Sequence, residues 1–466
     1  MRSRLSQASL QRVALGTAVP AYDRARLEGG IAHIGPGAFA RAHLASYVER
    51  LLAVGDKRWG MIGIALRHGA AGEALARQDF LYTLAELEAE PRYRVMGALK
   101  DFIVAPADPP RARLALVKAR LITITVTEKG YCLGADGKLD MRHPDIVHDL
   151  AGPQVPSSLY GWLADGLARR PAPIVLSCDN LADNGPKLRA ATIAFARARG
   201  HDRLADWIAE QARFPATMVD SITPASDAAL LARVADATGL EDQAPVQREG
   251  FTQWVIEEVP GLPDLARAGA QITGDVHAYE QAKLRLLNGA HSALAYLGLL
   301  RGRATVFEAM ADAPLGAFVE RMMREDVAAT LKPVFDVPAY IAALLARLRN
   351  PAIAHKLIQI AADGSLKLPY RFLEPVADQL AARRPIARLC VPVAAWMRFV
   401  VEKREMLSDP MADRLRAVAA DCDGTAGDVA RFLALGAIFP RALAAEPKFV
   451  EAVTTAYADL SAALAP

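Results

Sequence analysis

The stretch G-I-A-H-I-G-P-G-A-F-A-R-A-H, Gly30 to His43, decides the fold class. Four mostly apolar residues, Ile31 to Ile34, run into Gly35-Pro36-Gly37, and a helix-compatible segment, Arg41 to Leu52, follows. Strand, tight glycine turn and helix in that order open a dinucleotide-binding βαβ unit. The glycines let the backbone approach a pyrophosphate, and the helix start meets it with unpaired N–H groups and the positive end of its dipole. Gly35, Gly37, Ala38 and Phe39 are therefore candidate cofactor-binding residues. The fingerprint is incomplete, because Phe39 and Ala40 stand where a third glycine belongs. The rival reading is a purely structural turn.

Outward from this segment, Trp59–Leu66, Arg120–Thr127 and Ile174–Cys178 read as buried strands rich in Ile, Val and Thr. Helical patterns lie at Ser157–Ala168 and Lys187–Arg199, and Phe251–Val259 reads as a late strand. Such alternation predicts a mostly parallel, doubly wound sheet with helices on both faces. After about Tyr279 alanine and leucine dominate and helical periodicity runs to the C-terminus. The predicted class is α/β: a Rossmann-type domain over residues 1–275, then a mostly helical domain over residues 276–466, divided at the turn-rich G-A-Q-I-T-G-D. A chain of 466 residues is long for one core, which also favours two domains.

Composition excludes several classes. A formal charge of +3, with no basic run interleaved with aromatics, argues against a nucleic-acid partner. The four cysteines (Cys132, Cys178, Cys390 and Cys422) have neither zinc spacing nor a C-x-x-C pair, so no metal site and no disulfide is expected. The N-terminal segment lacks the apolar core of a signal peptide, and no stretch suits a membrane span. The expectation is a reduced, cytoplasmic protein, a monomer or small homo-oligomer, acting on a small molecule.

The chemistry-bearing stretch is A-K-L-R-L-L-N-G-A-H-S, Ala282 to Ser292. On an α-helix Lys283, Asn288 and His291 fall at roughly 0°, 140° and 80°. One half of the helix then carries a base, an amide donor and an imidazole amid leucines. A desolvated lysine moves toward neutral pKa and serves as a general acid/base. An Asn amide can hold a developing oxyanion without titrating. An amphipathic helix with polar edge residues is the competing reading.

Together with T-V-T-E-K-G-Y-C (Thr125–Cys132), S-C-D-N-L-A-D-N-G (Ser177–Gly185), F-P-A-T-M-V-D-S-I-T-P (Phe214–Pro224), Q-W-V-I-E (Gln253–Glu257) and D-G-S-L-K-L-P-Y-R (Asp363–Arg371), the chain resembles the mannitol dehydrogenase family. These are long-chain polyol and hexuronate dehydrogenases that use a nicotinamide cofactor and no metal. The resemblance implies Lys283 as catalytic acid/base, Asn180 and Asn288 as oxyanion donors, and His291 as a substrate-orienting residue. It implies Asp220 as an acceptor for sugar hydroxyls, the alternative being a helix cap. Glu128 joins the cofactor-binding set, at a position suited to proton relay or to a structural ion pair.

Lys367 matches a substrate-contacting lysine, and Gln359 stands where an arginine is usual. With Arg371 this pattern looks closer to the fructuronate-reducing branch, where two cations suit a C1 carboxylate. The implied substrate pair is D-mannonate and D-fructuronate, ahead of mannitol and fructose. A catalytically silent dinucleotide sensor is the rival from another class. The family's usual cofactor is NAD. NADP is also possible, because the turn after the second strand reads Arg67-His68-Gly69-Ala70 with no acid to meet an adenosine ribose. Arg67 could accept a 2′-phosphate or stack on adenine, and an acid introduced at Gly69 should sharpen selection for NAD.

Overall fold

The computed structural model describes residues 2–134, 136–168, 173–332 and 334–464. The chain divides into two compact units, Met1–Val276 and His277–Pro466. The first holds strands β1 (Ile31–Ile34), β2 (Met61–Ala65), β3 (Tyr82–Leu87), β4 (Arg92–Met96), β5 (Leu99–Val104), β6 (Leu121–Ile124), β7 (Ile174–Ser177), β8 (Thr217–Asp220), β9 (Val246–Glu249), β10 (Gln253–Glu257) and β11 (Gln271–Thr273).

Five strands form an all-parallel sheet in the order β5-β2-β1-β6-β7. Parallel strands are buried on both faces, which explains their short unbroken apolar runs. Ile31, Leu121 and Leu176 enter one core beside Tyr47 and Leu51. Ala32, Ile122 and Val175 enter another beside Trp162 and Phe195. Helices therefore cover both faces, as the doubly wound reading expects. Chain order reverses between β1 and β6, so the crevice at the carboxyl ends of those strands is the ligand-binding position of this architecture. Two small three-stranded sheets, β11-β10-β8 and β4-β3-β9, were not anticipated as such; the late strand at Gln253–Glu257 belongs to the first of them.

The second unit is helical. Gly289–Leu300 is buried on every side from Gly289 to Gly298, which makes it the central helix of this unit. It packs against Ala387–Glu402, itself packed on Pro447–Ala458. Tyr296, Phe318, Phe372, Trp396, Phe399 and Tyr457 fill the core. Among the described residues no helix is long and apolar enough to cross a membrane.

At the glycine turn, Gly35 has φ +85°, and a Cβ there would meet the Thr125 carbonyl oxygen at 2.0 Å. At Gly37 a Cβ would meet nothing closer than 3.9 Å. Gly35→Ala should therefore destabilise the fold by roughly 3 kcal/mol or more, from left-handed strain and a backbone clash. Gly37→Ala should stay within about 0.5 kcal/mol of the parent. Denaturant unfolding of the two variants checks this; equal losses would contradict the assigned geometry.

Candidate active site

In the first unit the predicted residues gather at one edge of the parallel sheet. Gly35 and Gly37 follow β1, Arg67 follows β2, Glu128 follows β6 and Asn180 follows β7. The helix begins at Ala38, so its first N–H groups face the turn without intrahelical partners. At Ala40, where a third glycine belongs, the helix widens into a π-turn, Ala40–Leu44, closed by the Ala45 N–H on the Ala40 carbonyl. Phe39 stacks on His43, with ring centroids 4.9 Å apart.

Hydrogen bonds, most of them wholly or partly buried, fix this edge. The His33 imidazole meets Thr123 Oγ1 at 2.8 Å and Thr125 Oγ1 at 3.0 Å, while Thr125 Oγ1 donates to the Gly35 carbonyl at 2.7 Å. The Asp179 carboxylate accepts the N–H groups of Val126 and Thr127 at 2.8 and 3.0 Å, and the Tyr131 hydroxyl at 2.8 Å. It thereby holds Thr127 at φ +65°, a conformation that a β-branched residue seldom adopts. Burial raises the pKa of Asp179 despite these bonds. Asn184 Nδ2 donates to the Thr217 carbonyl at 2.9 Å, and Asn184 Oδ1 accepts the Thr217 N–H at 3.0 Å, tying the segment after β7 to β8. Sequence reasoning missed His33, Asp179 and Asn184. Their signal was that the polar side chains recur inside the quoted strings, directly beside strand ends.

Asp220 is the last residue of β8 and is buried, so it is no helix cap. Glu128 lies exposed on the short helix Thr127–Gly130. Arg67 is engaged: its Nη2 lies 2.6 Å from Asp145 Oδ2. Gly69 cannot take an acid easily, because a Cβ there would meet Val104 Cγ2 at 2.3 Å. An acid introduced there would have to displace Val104.

Arg67 and Asp145 line a cavity of about 430 Å³ together with Gly35, Leu66, Val126 and Thr127. Its position at the carboxyl ends of β2, β1 and β6, and its size, suit the adenosine half of a dinucleotide. Cys132, His143 and Asp145 also cluster there. Their groups already have local roles: His143 Nδ1 caps the Asp145 N–H at 3.2 Å, and burial pushes the Cys132 thiol up to about 11.

In the second unit the Lys283 helix departs from the predicted geometry. Lys283–Asn288 is a π-turn, with the Gly289 N–H bonded to the Leu284 carbonyl. Residue i+5 then takes the place that i+4 has on an α-helix. Asn288 thus lies about 40° from Lys283 rather than 140°, and His291, three residues on, joins the same face. Lys283 and His291 are buried. The His291 ring packs edge-on to His355 at 5.4 Å.

The two arginines of this region differ. Arg285 is buried and pairs with Asp378 at 2.6 Å and Glu374 at 3.7 Å. Arg371 is half-buried; its Nη1 donates to the Asn288 carbonyl at 3.1 Å and to Ser292 Oγ at 2.7 Å, and no carboxylate among the described residues pairs with it. Burial lowers its pKa to about 10, which leaves it cationic at neutral pH. Lys367 Nζ donates to the carbonyls of Ala362 at 2.6 Å and Ile360 at 3.2 Å. Gln359 is exposed on Leu357–Ala361.

Family models match almost the whole chain: the mannitol dehydrogenase Rossmann domain over residues 29–265, and the mannitol dehydrogenase C-terminal domain over residues 275–461. The chain belongs to the mannitol dehydrogenase family. D-mannonate oxidoreductase of Escherichia coli (strain K12) is 38% identical over 468 residues, covering 96% of each chain. A mannitol 2-dehydrogenase of Phaeosphaeria nodorum is 39% identical over 427 residues, covering 86% of this chain and 75% of that one. Among solved structures, the ternary complex of Pseudomonas fluorescens mannitol 2-dehydrogenase with NAD and D-mannitol superposes with a TM-score of 0.82 at 36% identity, covering 99% and 98% of the two chains.

The buried histidines carry a pH prediction. Burial lowers His33 to about 4 and His43 to about 3. Below about pH 6.5 the unfolded chain protonates both while the native state does not, so stability is full above 6.5 and falls as pH drops toward 4. Each histidine contributes a slope of about 1.4 kcal/mol per pH unit. His43→Phe should remove one such increment in denaturant unfolding between pH 6 and 4.5; an unchanged slope would show that His43 is protonated in the fold.

Proposed function

We propose that this member of the mannitol dehydrogenase family is an NAD-dependent oxidoreductase that interconverts the secondary alcohol of a sugar acid and its ketone, with D-mannonate and D-fructuronate as the pair. NAD, held by the turn after β1, would supply the hydride acceptor for oxidation and, reduced, the hydride donor for the reverse reaction. The open face of Gly37, the free helix start at Ala38 and the cavity beside Leu66 and Arg67 support this cofactor assignment. The protein groups have separate tasks. Lys283 takes the hydroxyl proton during oxidation and returns it to the alkoxide during reduction. Asn288, on the same helix face, donates to the substrate oxygen, and Asn180 carries the second amide role. His291 and Asp220 orient hydroxyls.

The observation that carries the choice of a sugar acid is Arg371. It is a desolvated cation without a carboxylate partner among the described residues, anchored on the backbone of Asn288. A substrate carboxylate would supply the missing counter-ion through a charge-assisted hydrogen bond. Lys367 is the weaker candidate, because carbonyl oxygens already hold its ammonium group. A neutral polyol is the second reading, favoured by relatives of comparable identity that are named mannitol 2-dehydrogenase.

Lys283→Ala should cut turnover by roughly two to four orders of magnitude, the range for loss of a general acid/base, and leave NADH binding by fluorescence titration intact. Arg371→Met should raise KM for mannonate by about 30-fold or more, from loss of a charged hydrogen bond worth roughly 2 kcal/mol. Its effect on mannitol oxidation should be small. Equal losses with both substrates would show that Arg371 only props the Asn288 turn.

A further inference from the structure

The turn after β2, Leu66-Arg67-His68-Gly69, carries no acid, yet the fold brings one to it from a distant segment. Asp145 stands at the start of the helix Pro144–Leu150, 78 residues beyond Arg67 in sequence. Its backbone N–H is held by His143 Nδ1, which anchors the start of the helix that carries it. That carboxylate lies 2.6 Å from the Arg67 guanidinium, and both groups line the cavity beside Leu66 and Gly35. The Arg67 side chain is 69% exposed and that of Asp145 only 24%. Arg67 is thus the reachable cation at the β2 end, and Asp145 is its seated counter-ion.

We propose that Asp145 sets the cofactor preference of this protein: it supplies the ribose-facing carboxylate that the β2 turn lacks and withholds Arg67 from a 2′-phosphate. The inference rests on the dinucleotide reading above. A 2′-hydroxyl can donate to a carboxylate in the position Asp145 holds. A 2′-phosphate there would be repelled, and it could reach Arg67 only by breaking the existing ion pair. Lys129, which also lines the cavity, comes from the helix after β6 and so lies beyond β1 from the β2 turn. On this proposal the preference for NAD over NADP is strong, although the β2 turn itself carries no acid.

Calorimetric titration with ADP-ribose and with its 2′-phosphate tests this without turnover. The wild type should prefer ADP-ribose by at least about 100-fold. Asp145→Asn should bind the 2′-phosphate form at least about 10-fold more tightly than the wild type does, and adding Arg67→Ala should abolish that gain. Asp145→Ser, which keeps a small polar group at the helix start, should behave as Asp145→Asn does, and thermal unfolding confirms that each variant is folded. If the wild type binds both ligands and neither Asp145 variant changes their ratio, the role of Asp145 is overturned while the dinucleotide site stands. If the wild type binds neither ligand, the cofactor reading falls and this proposal with it.

Discussion

The extra residue in the turn Lys283–Asn288 is the constraint on which the proposed chemistry of the second unit depends. An i→i+5 bond from Gly289 to the Leu284 carbonyl widens the helix by one residue. It brings Asn288 over Lys283, and the regular helix that follows carries His291 onto the same side. The turn is held from two directions. Arg285 fastens it to Asp378 and Glu374, and Arg371 clasps the Asn288 carbonyl and the Ser292 hydroxyl. The helix Gly289–Leu300, buried on all sides as far as Gly298, gives this arrangement a rigid base. The general-base role proposed for Lys283 needs such fixed geometry, since a misplacement of about 1 Å can cost a hundredfold in rate.

The first unit solves the corresponding problem with buried and half-buried polar groups. His33, Thr125, Asp179 and Asn184 each have a hydrogen-bond partner on another segment of the sheet edge. Leaving any of these groups buried without a partner would cost about 1–3 kcal/mol. Each is matched, so the network rigidifies the turns after β1, β6 and β7 rather than weakening them. The strained backbone of Thr127 persists because Asp179 accepts its N–H and that of Val126.

Much of this could be read in the sequence, for identifiable reasons. The strand at Ile31–Ile34 and the turn at Gly35 were legible because parallel strands are continuous apolar runs and glycine marks a left-handed position. The helical second unit was legible from periodicity after Tyr279. The angle between Lys283 and Asn288 was not, since a π-turn has no local composition that sets it apart from an α-helix. Asp179 escaped notice because its partners lie 48 to 53 residues away. Lys367 reads in the sequence as a substrate-contacting lysine, and the carbonyls of Ile360 and Ala362 that hold it lie seven and five residues earlier in the chain. Neither contact leaves a mark in local sequence. The same holds for Asp145, which reaches Arg67 only through the fold.

Arg371, anchored beside the Lys283 turn and without a carboxylate partner among the described residues, makes charge recognition the central claim of the proposed function. Initial rates of NADH oxidation with D-fructuronate and with D-fructose, each at subsaturating concentration, test it most directly. The account predicts that kcat/KM for fructuronate exceeds that for fructose by at least about 30-fold, the ratio expected for one charge-assisted contact worth roughly 2 kcal/mol. Equal efficiencies, or turnover of fructose alone, would contradict it.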